Sequence, residues 1–186
     1  MLDDIARQHP AARVEVWAED EARFGLIPTM RRVWAKKGVR PGCSSKRVYQ
    51  WAYLYSFVRP STGETVNFVG STVNAAAMSA VLADFAGVAE LGPGRRAVVV
   101  LDGAGWHRAK DLVVPEGVHL AFLPPYSPEL QPAERIWPLI NEVIANRTFP
   151  DLATLEARID ERCNHLQLHP ESIHALCHYH WWPEDD

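Results

Sequence analysis

Three acidic side chains occupy positions where a predicted strand ends or a predicted helix begins. Asp20 follows the alternating run RVEVWAE, Asp102 follows the apolar run RAVVVL, and Glu134 lies in the first turn of a helix expected to begin at Pro132. Neighbouring carboxylates repel each other unless a cation lies between them, and carboxylate oxygens select Mg²⁺ or Mn²⁺. If the three acids meet, they could hold two such ions for phosphodiester chemistry.

Each acid also has a purely structural interpretation. An aspartate before a glycine, such as Asp102 before Gly103, is often a turn residue. A glutamate in the first helical turn, such as Glu134, is often a cap favoured by the helix dipole. The metal-site hypothesis therefore depends on whether the fold brings the three side chains together.

The first part of the chain is predicted to form three strands. Residues from Val14 to Asp20 alternate between two faces, which places Glu19 and Glu21 opposite to Asp20. Asp20 is expected to end this strand. Two runs rich in aromatic and β-branched residues, KRVYQWAYLYSFV and ETVNFV, are separated by a Pro-Ser-Thr-Gly turn and predict a hairpin of two antiparallel strands.

The second part alternates helices with buried strands. A helix is predicted over 74–91 and is stopped by Gly-Pro-Gly, because apolar residues recur there at helical spacing: Met78, Val81, Leu82, Phe85 and Val88. The apolar run that ends at Leu101 predicts a strand buried on both faces. A short strand over 118–123, a helix from Pro132 to about Ile144, and a last helix marked by Leu152, Leu155 and Ile159 follow.

This order of elements predicts an α/β fold with a mixed central β-sheet flanked by helices. We expect one domain over residues 1–186, with 1–13 as an N-terminal lead-in. If the first strand and the strand before Asp102 are neighbours, the carboxylates of Asp20 and Asp102 converge at the strand ends.

A proline-rich segment connects the last strand to the helix that carries Glu134. The stretch LPPYSPELQPAERIW, residues 123–137, contains four of the chain's 14 prolines. Proline restricts the backbone before folding, so less entropy is lost when the segment is ordered. We expect this rigidity to bring the Glu134 carboxylate to a fixed place, as metal geometry requires.

Charge is unevenly distributed along the chain. The net charge is −4, yet the window from Ala22 to Gly63 contains no acid and nine of the 19 basic residues. It also contains Trp34 and Trp51, and basic residues interleaved with aromatic ones suit a nucleic-acid backbone, although a solvated face is the alternative. The candidate DNA-binding residues in this window are Arg31, Arg32, Lys36, Lys37, Arg40, Lys46 and Arg47.

Composition and termini favour a soluble cytoplasmic protein. No apolar run reaches the roughly 18 residues of a membrane span, and MLDDIARQHP lacks the regions of a secretion signal. Cys43, Cys163 and Cys177 form no CxxC pair and are expected to be reduced thiols.

The C-terminal segment LQLHPESIHALCHYHWW contains histidines and a cysteine that are possible zinc ligands. No second ligand pair at zinc-finger spacing accompanies them, so we expect this end to pack on the core through Trp181 and Trp182 instead. The possible ligands are His169, His174, Cys177, His178 and His180.

Three motifs, in order, resemble those of the DDE-type transposases of bacterial insertion sequences related to the mariner superfamily. They are WAEDEARFGLIPTMRRVWAKKGVRP, VVVLDGAGWH and LPPYSPELQPAERIWPLIN, and the resemblance covers about Val14 to Phe149. The sequence departs from the usual pattern at Gly103 and Gln131, where asparagine is common, and at Ala133, where isoleucine is common.

The resemblance implies a ribonuclease H-like fold in which Asp20, Asp102 and Glu134 are the catalytic, metal-binding acids. It implies two Mg²⁺ or Mn²⁺ ions per active site, cleavage of DNA at element ends, and attack of the freed 3′ hydroxyl on target DNA by a complex that is at least a homodimer. His107 matches the histidine of the second motif. It is expected to orient a ligand or contact a phosphate, or else to hydrogen-bond its own loop.

The family resemblance also implies partners and a cellular setting. Family members carry helix-turn-helix domains ahead of the catalytic part, whereas about thirteen residues precede the first strand here. We expect that DNA-binding part to be missing or on another polypeptide, and the protein to act in the bacterial cytoplasm at the nucleoid.

Two other functions stay open from the residues alone. A nuclease of the same fold could use the same acids for hydrolysis, because three acids and two metals do not dictate the nucleophile. A noncatalytic DNA-binding remnant of a transposase is the other alternative.

Overall fold

A five-stranded sheet forms the centre of the computed structural model, which describes residues 1–39, 41–42 and 48–183. The strand order is β3-β2-β1-β4-β5. The strands are β1 (Arg13–Gly25), β2 (Trp51–Arg59), β3 (Glu64–Gly70), β4 (Arg95–Leu101) and β5 (Val118–Phe122). The first three pair antiparallel, whereas β1, β4 and β5 pair in parallel, so the sheet is mixed as predicted.

Strand β1 is longer than the sequence pattern predicted. Asp20 does not end it, because the strand pairs with β2 as far as Gly25, opposite Trp51. Its pairing with β4 extends only up to Ala18, opposite Val100. Asp20 therefore lies where β1 leaves its parallel neighbour and continues along its antiparallel one.

The predicted adjacency of the two acid-bearing strands is confirmed. Two residues beyond the pair of Ala18 and Val100 come Asp20 on β1 and Asp102 directly after β4. The carboxyl ends of parallel neighbours meet at one edge of a sheet, so both acids lie at the same edge.

Five α-helices in the described residues flank the sheet. They are α1 (Leu2–Gln8), α2 (Ala75–Val88), α3 (Trp137–Ile144), α4 (Leu152–Gln167) and α5 (Pro170–Cys177). Helix α2 covers one face of the sheet, and α3, α4 and α5 pack together against the other. Neither α1 nor α5 was predicted, although α5 begins at a proline and buries Ile173 and Cys177. No helix in the described residues is long and apolar enough to cross a bilayer.

Helix α2 ends three residues earlier than the apolar pattern predicted. Glu90 takes a left-handed φ of 52°, and the Leu91 amide donates to the Ala86 carbonyl at 2.8 Å. This closure satisfies carbonyls at the helix end. Val88, placed on the apolar face by the sequence, is the last residue of α2 and is 61% exposed.

The helix that carries Glu134 has the predicted bounds but not a uniform geometry. Its first turn, Pro132–Ile136, is a 3-10 helix that passes directly into α3, and a shorter 3-10 turn, Pro128–Leu130, precedes it. At the C-terminal end, Trp182 is buried as expected, whereas Trp181 is 45% exposed.

The aromatic core under α2 gives a first prediction. Phe85 is fully buried, stacks on Phe57 at a ring-centroid distance of 4.0 Å, and meets Trp17 edge-on at 5.1 Å. Phe85→Ala should lower the free energy of unfolding by about 3–5 kcal/mol, because it removes this ring and leaves a cavity. Val88→Ala on the same helix should change it by less than about 0.5 kcal/mol. Urea denaturation measures the free energy of unfolding of each variant. Equal losses for Phe85→Ala and Val88→Ala would contradict this packing.

Candidate active site

One cleft of about 570 Å³ brings together the three acids that the sequence singled out. Asp20 reaches it from β1, Asp102 from the end of β4, and Glu134 from the 3-10 turn before α3. The rest of the lining comes from two loops, one after β4 and one after β5: Gly103, Ala104, Arg108, Leu123, Pro124, Pro125, Tyr126, Ser127, Pro128 and Gln131. Residues remote along the chain thus form a single acidic cleft.

Asp20 is the least exposed of the three acids. Its Oδ2 accepts a hydrogen bond of 2.7 Å from the indole N–H of Trp137, the first residue of α3. Burial, with the charges of Glu134 and Glu21 adding to it, raises the pKa of Asp20 to about 7 against the lowering effect of that hydrogen bond. A nearby cation would favour the charged form.

Residues of the loop that follows β4 restrain Asp102, although its side chain is 56% exposed. Its Oδ1 accepts from the Ala104 amide at 2.9 Å and lies 2.8 Å from Nδ1 of His107. Two contacts on one oxygen fix the direction of the carboxylate. Glu134 also lines the cleft and is exposed.

Gln131 connects the turn that bears Glu134 to the strand that bears Asp20. Its buried side-chain Nε2 donates to the Glu19 carbonyl at 2.8 Å, and its Oε1 accepts from the Ala133 amide at the start of the 3-10 turn. Proline rigidity was the only restraint on Glu134 that the sequence predicted. This side-chain bridge supplies a second, direct restraint.

A second acidic cluster lies on the other face of β1. Glu19 and Glu21 point away from Asp20, as the strand alternation predicted, and meet the buried ring of His107. Nε2 of His107 lies 3.0 Å from Oε1 of Glu21 and 3.7 Å from Oε2 of Glu19. With 1% exposure, His107 belongs to this cluster rather than to a phosphate-binding surface.

The pKa values of two side chains in this cluster, Glu19 and His107, are raised. Burial raises the pKa of Glu19 well above its usual range, and the charges of Glu21, Asp20 and Asp102 add to this. Burial lowers the pKa of His107, but the hydrogen bonds and charges of Glu21 and Asp102 outweigh it and raise the pKa overall. The site as a whole therefore favours added positive charge.

The basic residues lie on the irregular segment after β1. Arg31, Arg32, Lys36 and Lys37 are all exposed, and Trp34 among them is fully exposed. The segment is tied down near its start, because the side chain of Asn146 accepts from the Arg31 amide at 2.9 Å and donates to the Arg31 carbonyl at 2.8 Å. Three other basic candidates and one cysteine lie outside the described residues: Arg40, Lys46, Arg47 and Cys43.

Sequence reasoning missed four side chains of the site. Trp137, Gln131 and Trp106 all lie inside the quoted motifs, but their roles require knowing which strand each one reaches. The fourth, Arg108, lines the cleft with its guanidinium 4.6 Å from the ring centre of Phe122. Its only sequence signal was a basic residue six positions after Asp102.

The sequence profile of the DDE superfamily endonucleases matches residues 15–156, most of the chain. The protein belongs to the DDE superfamily endonucleases. Uncharacterized protein y4pE/y4sA of Sinorhizobium fredii (strain NBRC 101917 / NGR234) is 33% identical over 132 residues, which are 70% of this chain and 96% of that protein.

Solved structures show which fold this DDE superfamily endonuclease has. The Mos1 transposase paired-end complex with left transposon end matches 94% of this chain with a TM-score of 0.58 and 14% identity. The Mos1 mariner paired end complex with Mn matches 90% of it with a TM-score of 0.60 and 16% identity. The chain spans 58% and 57% of those Mos1 chains. The predicted ribonuclease H-like fold is confirmed.

The raised pKa of Asp20 predicts how stability depends on pH without metal. Its value of about 7 lies above the ordinary 3.8, so between these pH values the folded endonuclease binds more protons than the unfolded chain. Stability therefore falls as the pH rises through this window. Asp20→Asn removes this penalty, and should raise the free energy of unfolding at about pH 8 in EDTA while changing it little near pH 4.

Denaturant titrations across this pH range measure the effect. Asp111→Asn, at an exposed position outside the cleft, is the matched control and should show no comparable rise at high pH. A gain in stability from Asp20→Asn that is equal at both ends of the range would contradict the assigned burial effect.

Proposed function

We propose that this endonuclease is the catalytic part of a transposase, which cleaves DNA at element ends and joins the freed 3′ hydroxyl to target DNA. The observation that carries the proposal is the cleft in which Asp20, Asp102 and Glu134 meet. Membership of the DDE superfamily endonucleases supports it. The likeness in fold to Mos1 structures, which include a strand transfer complex, supports it further.

The donor atoms in the cleft suit hard divalent cations. All three acids offer carboxylate oxygens, the ligands that Mg²⁺ and Mn²⁺ prefer. Burial, with the charges of Glu134 and Glu21 adding to it, raises the pKa of Asp20, and a bound cation would favour the charged carboxylate against these effects. Paired-end complexes of Mos1 have been solved with Mn and with Mg. We propose that Asp20, Asp102 and Glu134 hold two such ions, which when bound activate the attacking oxygen and stabilise the leaving oxygen.

The protein's own residues fix these ligands and receive the DNA. Trp137 restrains Asp20 through its indole N–H, and the Ala104 amide and His107 restrain Asp102. In the same cleft, the guanidinium of Arg108 lies beside Gly103. Because guanidinium groups bind phosphate through paired hydrogen bonds, we propose that Arg108 contacts a phosphate of the bound strand.

Strand cleavage should depend on all three acids. Asp20→Asn, Asp102→Asn and Glu134→Gln keep side-chain size and remove one charge each. Each should lower the Mn²⁺-dependent nicking rate of supercoiled plasmid by at least about 100-fold, since even outer-shell partners of a metal cost roughly 10- to 100-fold when removed. Gel electrophoresis of time courses at fixed salt measures the rate.

The matched control is Glu129→Gln, an exposed acid in the same proline-rich segment but outside the cleft lining. It should nick at the rate of the unchanged protein. Including labelled DNA with a free 3′ hydroxyl separates two functions: labelled joint molecules support transposition, whereas nicks without joining support a hydrolytic nuclease. Metal-independent DNA binding with no nicking by the unchanged protein would favour a noncatalytic remnant.

The exposed basic residues are proposed to bind the DNA backbone in a working complex that is at least a homodimer. Phosphate contacts release counterions, so each contact contributes about 0.9 to the slope of log affinity against log salt. Replacing Arg31, Arg32, Lys36 and Lys37 by alanine should therefore flatten the slope by up to about 3.6, the sum for four contacts.

Fluorescence anisotropy with a DNA duplex at several salt concentrations measures this slope. The control variant combines four substitutions that exchange the cationic groups but keep their charges: Arg31→Lys, Arg32→Lys, Lys36→Arg and Lys37→Arg. Its slope should stay at the unchanged value. An unchanged slope in the alanine variant would exclude this segment as a DNA-binding surface.

A further inference from the structure

The cluster of Glu19, Glu21 and His107 has the composition and spacing of a metal site of its own. One ligand atom from each of the three side chains lies within 4.8 Å of the other two. A tetrahedral zinc ion with ligands at about 2.0–2.1 Å holds its ligand atoms about 3.3 Å apart. The distances from Nε2 of His107 to Glu21 and Glu19, 3.0 and 3.7 Å, bracket that value.

Glu19 gives a second, independent indication of a ligand. Its side chain is fully buried, and neither carboxylate oxygen has a hydrogen-bond partner. A buried carboxylate without a partner is costly unless it binds a cation or a proton. Its Oε2 faces Nε2 of His107 across 3.7 Å, so the unpartnered group is directed into the cluster.

We propose that Glu19, Glu21 and His107 bind one divalent transition-metal ion, separate from the catalytic pair, and that this ion fixes His107 as the support of Asp102. The site lies on the opposite face of β1 from Asp20. Its existence does not depend on the proposed transposase activity.

The contacts of His107 match those of a metal-bound histidine. Such a histidine usually donates its other ring N–H to a carboxylate, which sets its tautomer and orientation. Nδ1 of His107 lies 2.8 Å from Oδ1 of Asp102, while Nε2 faces the two glutamates. A metal on Nε2 would keep the proton on Nδ1, and Nδ1–H would then donate to Asp102.

Trp106 hydrogen-bonds to a second proposed ligand, Glu21, from outside the site. Its indole N–H donates to Oε1 of Glu21 at 2.8 Å and lies 3.1 Å from Nε2 of His107. Hydrogen bonds to ligating carboxylates are the usual supports around a metal. In the metal-bound form, the indole N–H stays with Glu21, and Nε2 of His107 turns its lone pair to the ion.

The donor set selects the kind of ion. One imidazole and two carboxylates suit Zn²⁺ and related transition ions, whereas Mg²⁺ prefers oxygen ligands and retains its waters. The catalytic cleft, with carboxylates alone, has the opposite preference. The two sites should therefore be separable by metal type.

One of the three proposed ligands, Glu21, borders a cleft that opens to solvent. A second cleft of about 390 Å³ is lined by Glu21 and Trp106 of the cluster and also by Asp20 and Asp102. An ion can therefore reach Glu21 from solvent without unfolding of the sheet.

Metal binding can be tested with two of the three catalytic acids removed. The full chain carrying Asp20→Asn and Glu134→Gln, which leaves Asp102 in place to orient His107, is treated with chelator, dialysed against Zn²⁺, and analysed for bound metal and by calorimetric titration. We expect about one equivalent of Zn²⁺ per chain and no displacement by excess Mg²⁺. Absence of zinc binding in this variant overturns the proposal.

Ligand substitutions in the same background assign the ion to its site. Glu21→Gln or His107→Gln should weaken zinc binding by more than the roughly 10- to 100-fold typical of an outer-shell change. His174→Gln, in the histidine-rich C-terminal part, should keep it unchanged. Zinc lost in His174→Gln but kept in Glu21→Gln would place the ion elsewhere and overturn the assignment. Circular dichroism checks that each variant is folded.

The outcome is independent of the catalytic proposal. One equivalent of zinc in a protein that never nicks DNA would support this site and remove the transposase function. DNA nicking by a protein that binds no zinc would support the catalytic proposal and overturn the zinc site. It would mean that Glu19 holds a proton instead of sharing a metal ion.

Discussion

The parallel pairing of β1 with β4 is the constraint on which the whole site depends. Its register, with Ala18 opposite Val100, places Asp20 and Asp102 at the same level of the sheet. Once β1 has passed Asp20 it continues along β2, so the acid is held in regular strand rather than in a loop. Gln131 then attaches the turn bearing Glu134 to the neighbouring carbonyl of Glu19. A shift in this register would separate the three acids.

Concentrated negative charge is what the fold imposes at this edge of the sheet. Acids alternate along β1, so Asp20 faces one side while Glu19 and Glu21 face the other. Burial makes their mutual repulsion stronger than it would be in water. Asp102 joins the two groups, because it lines the acidic cleft with Asp20 and also contacts His107. Cations on either side of β1 would relieve the same electrostatic cost.

The packed core that supports the sheet and the exposed basic residues lie in different parts of the molecule. Stacked and edge-on rings fix α2 against one face of the sheet, and three helices cover the other. The basic segment instead leaves β1 as irregular chain and is anchored through Asn146 at Arg31. Its exposed cations thus lie on irregular chain, whereas the acids lie on or directly beside regular elements of the fold.

The sequence by itself determined the five strands, three of the five α-helices in the described residues and the three candidate acids, because periodicity, turn residues and motif order are local signals. It also predicted that Glu19 and Glu21 oppose Asp20. Only the tertiary structure decided that β1 extends to Gly25, since that depends on the length of its partner β2. The hydrogen bonds of Trp137 and Gln131 likewise join residues that are distant along the chain. His107 follows a strand in a loop, yet its side chain is buried. No local pattern encodes which carboxylate each of them meets.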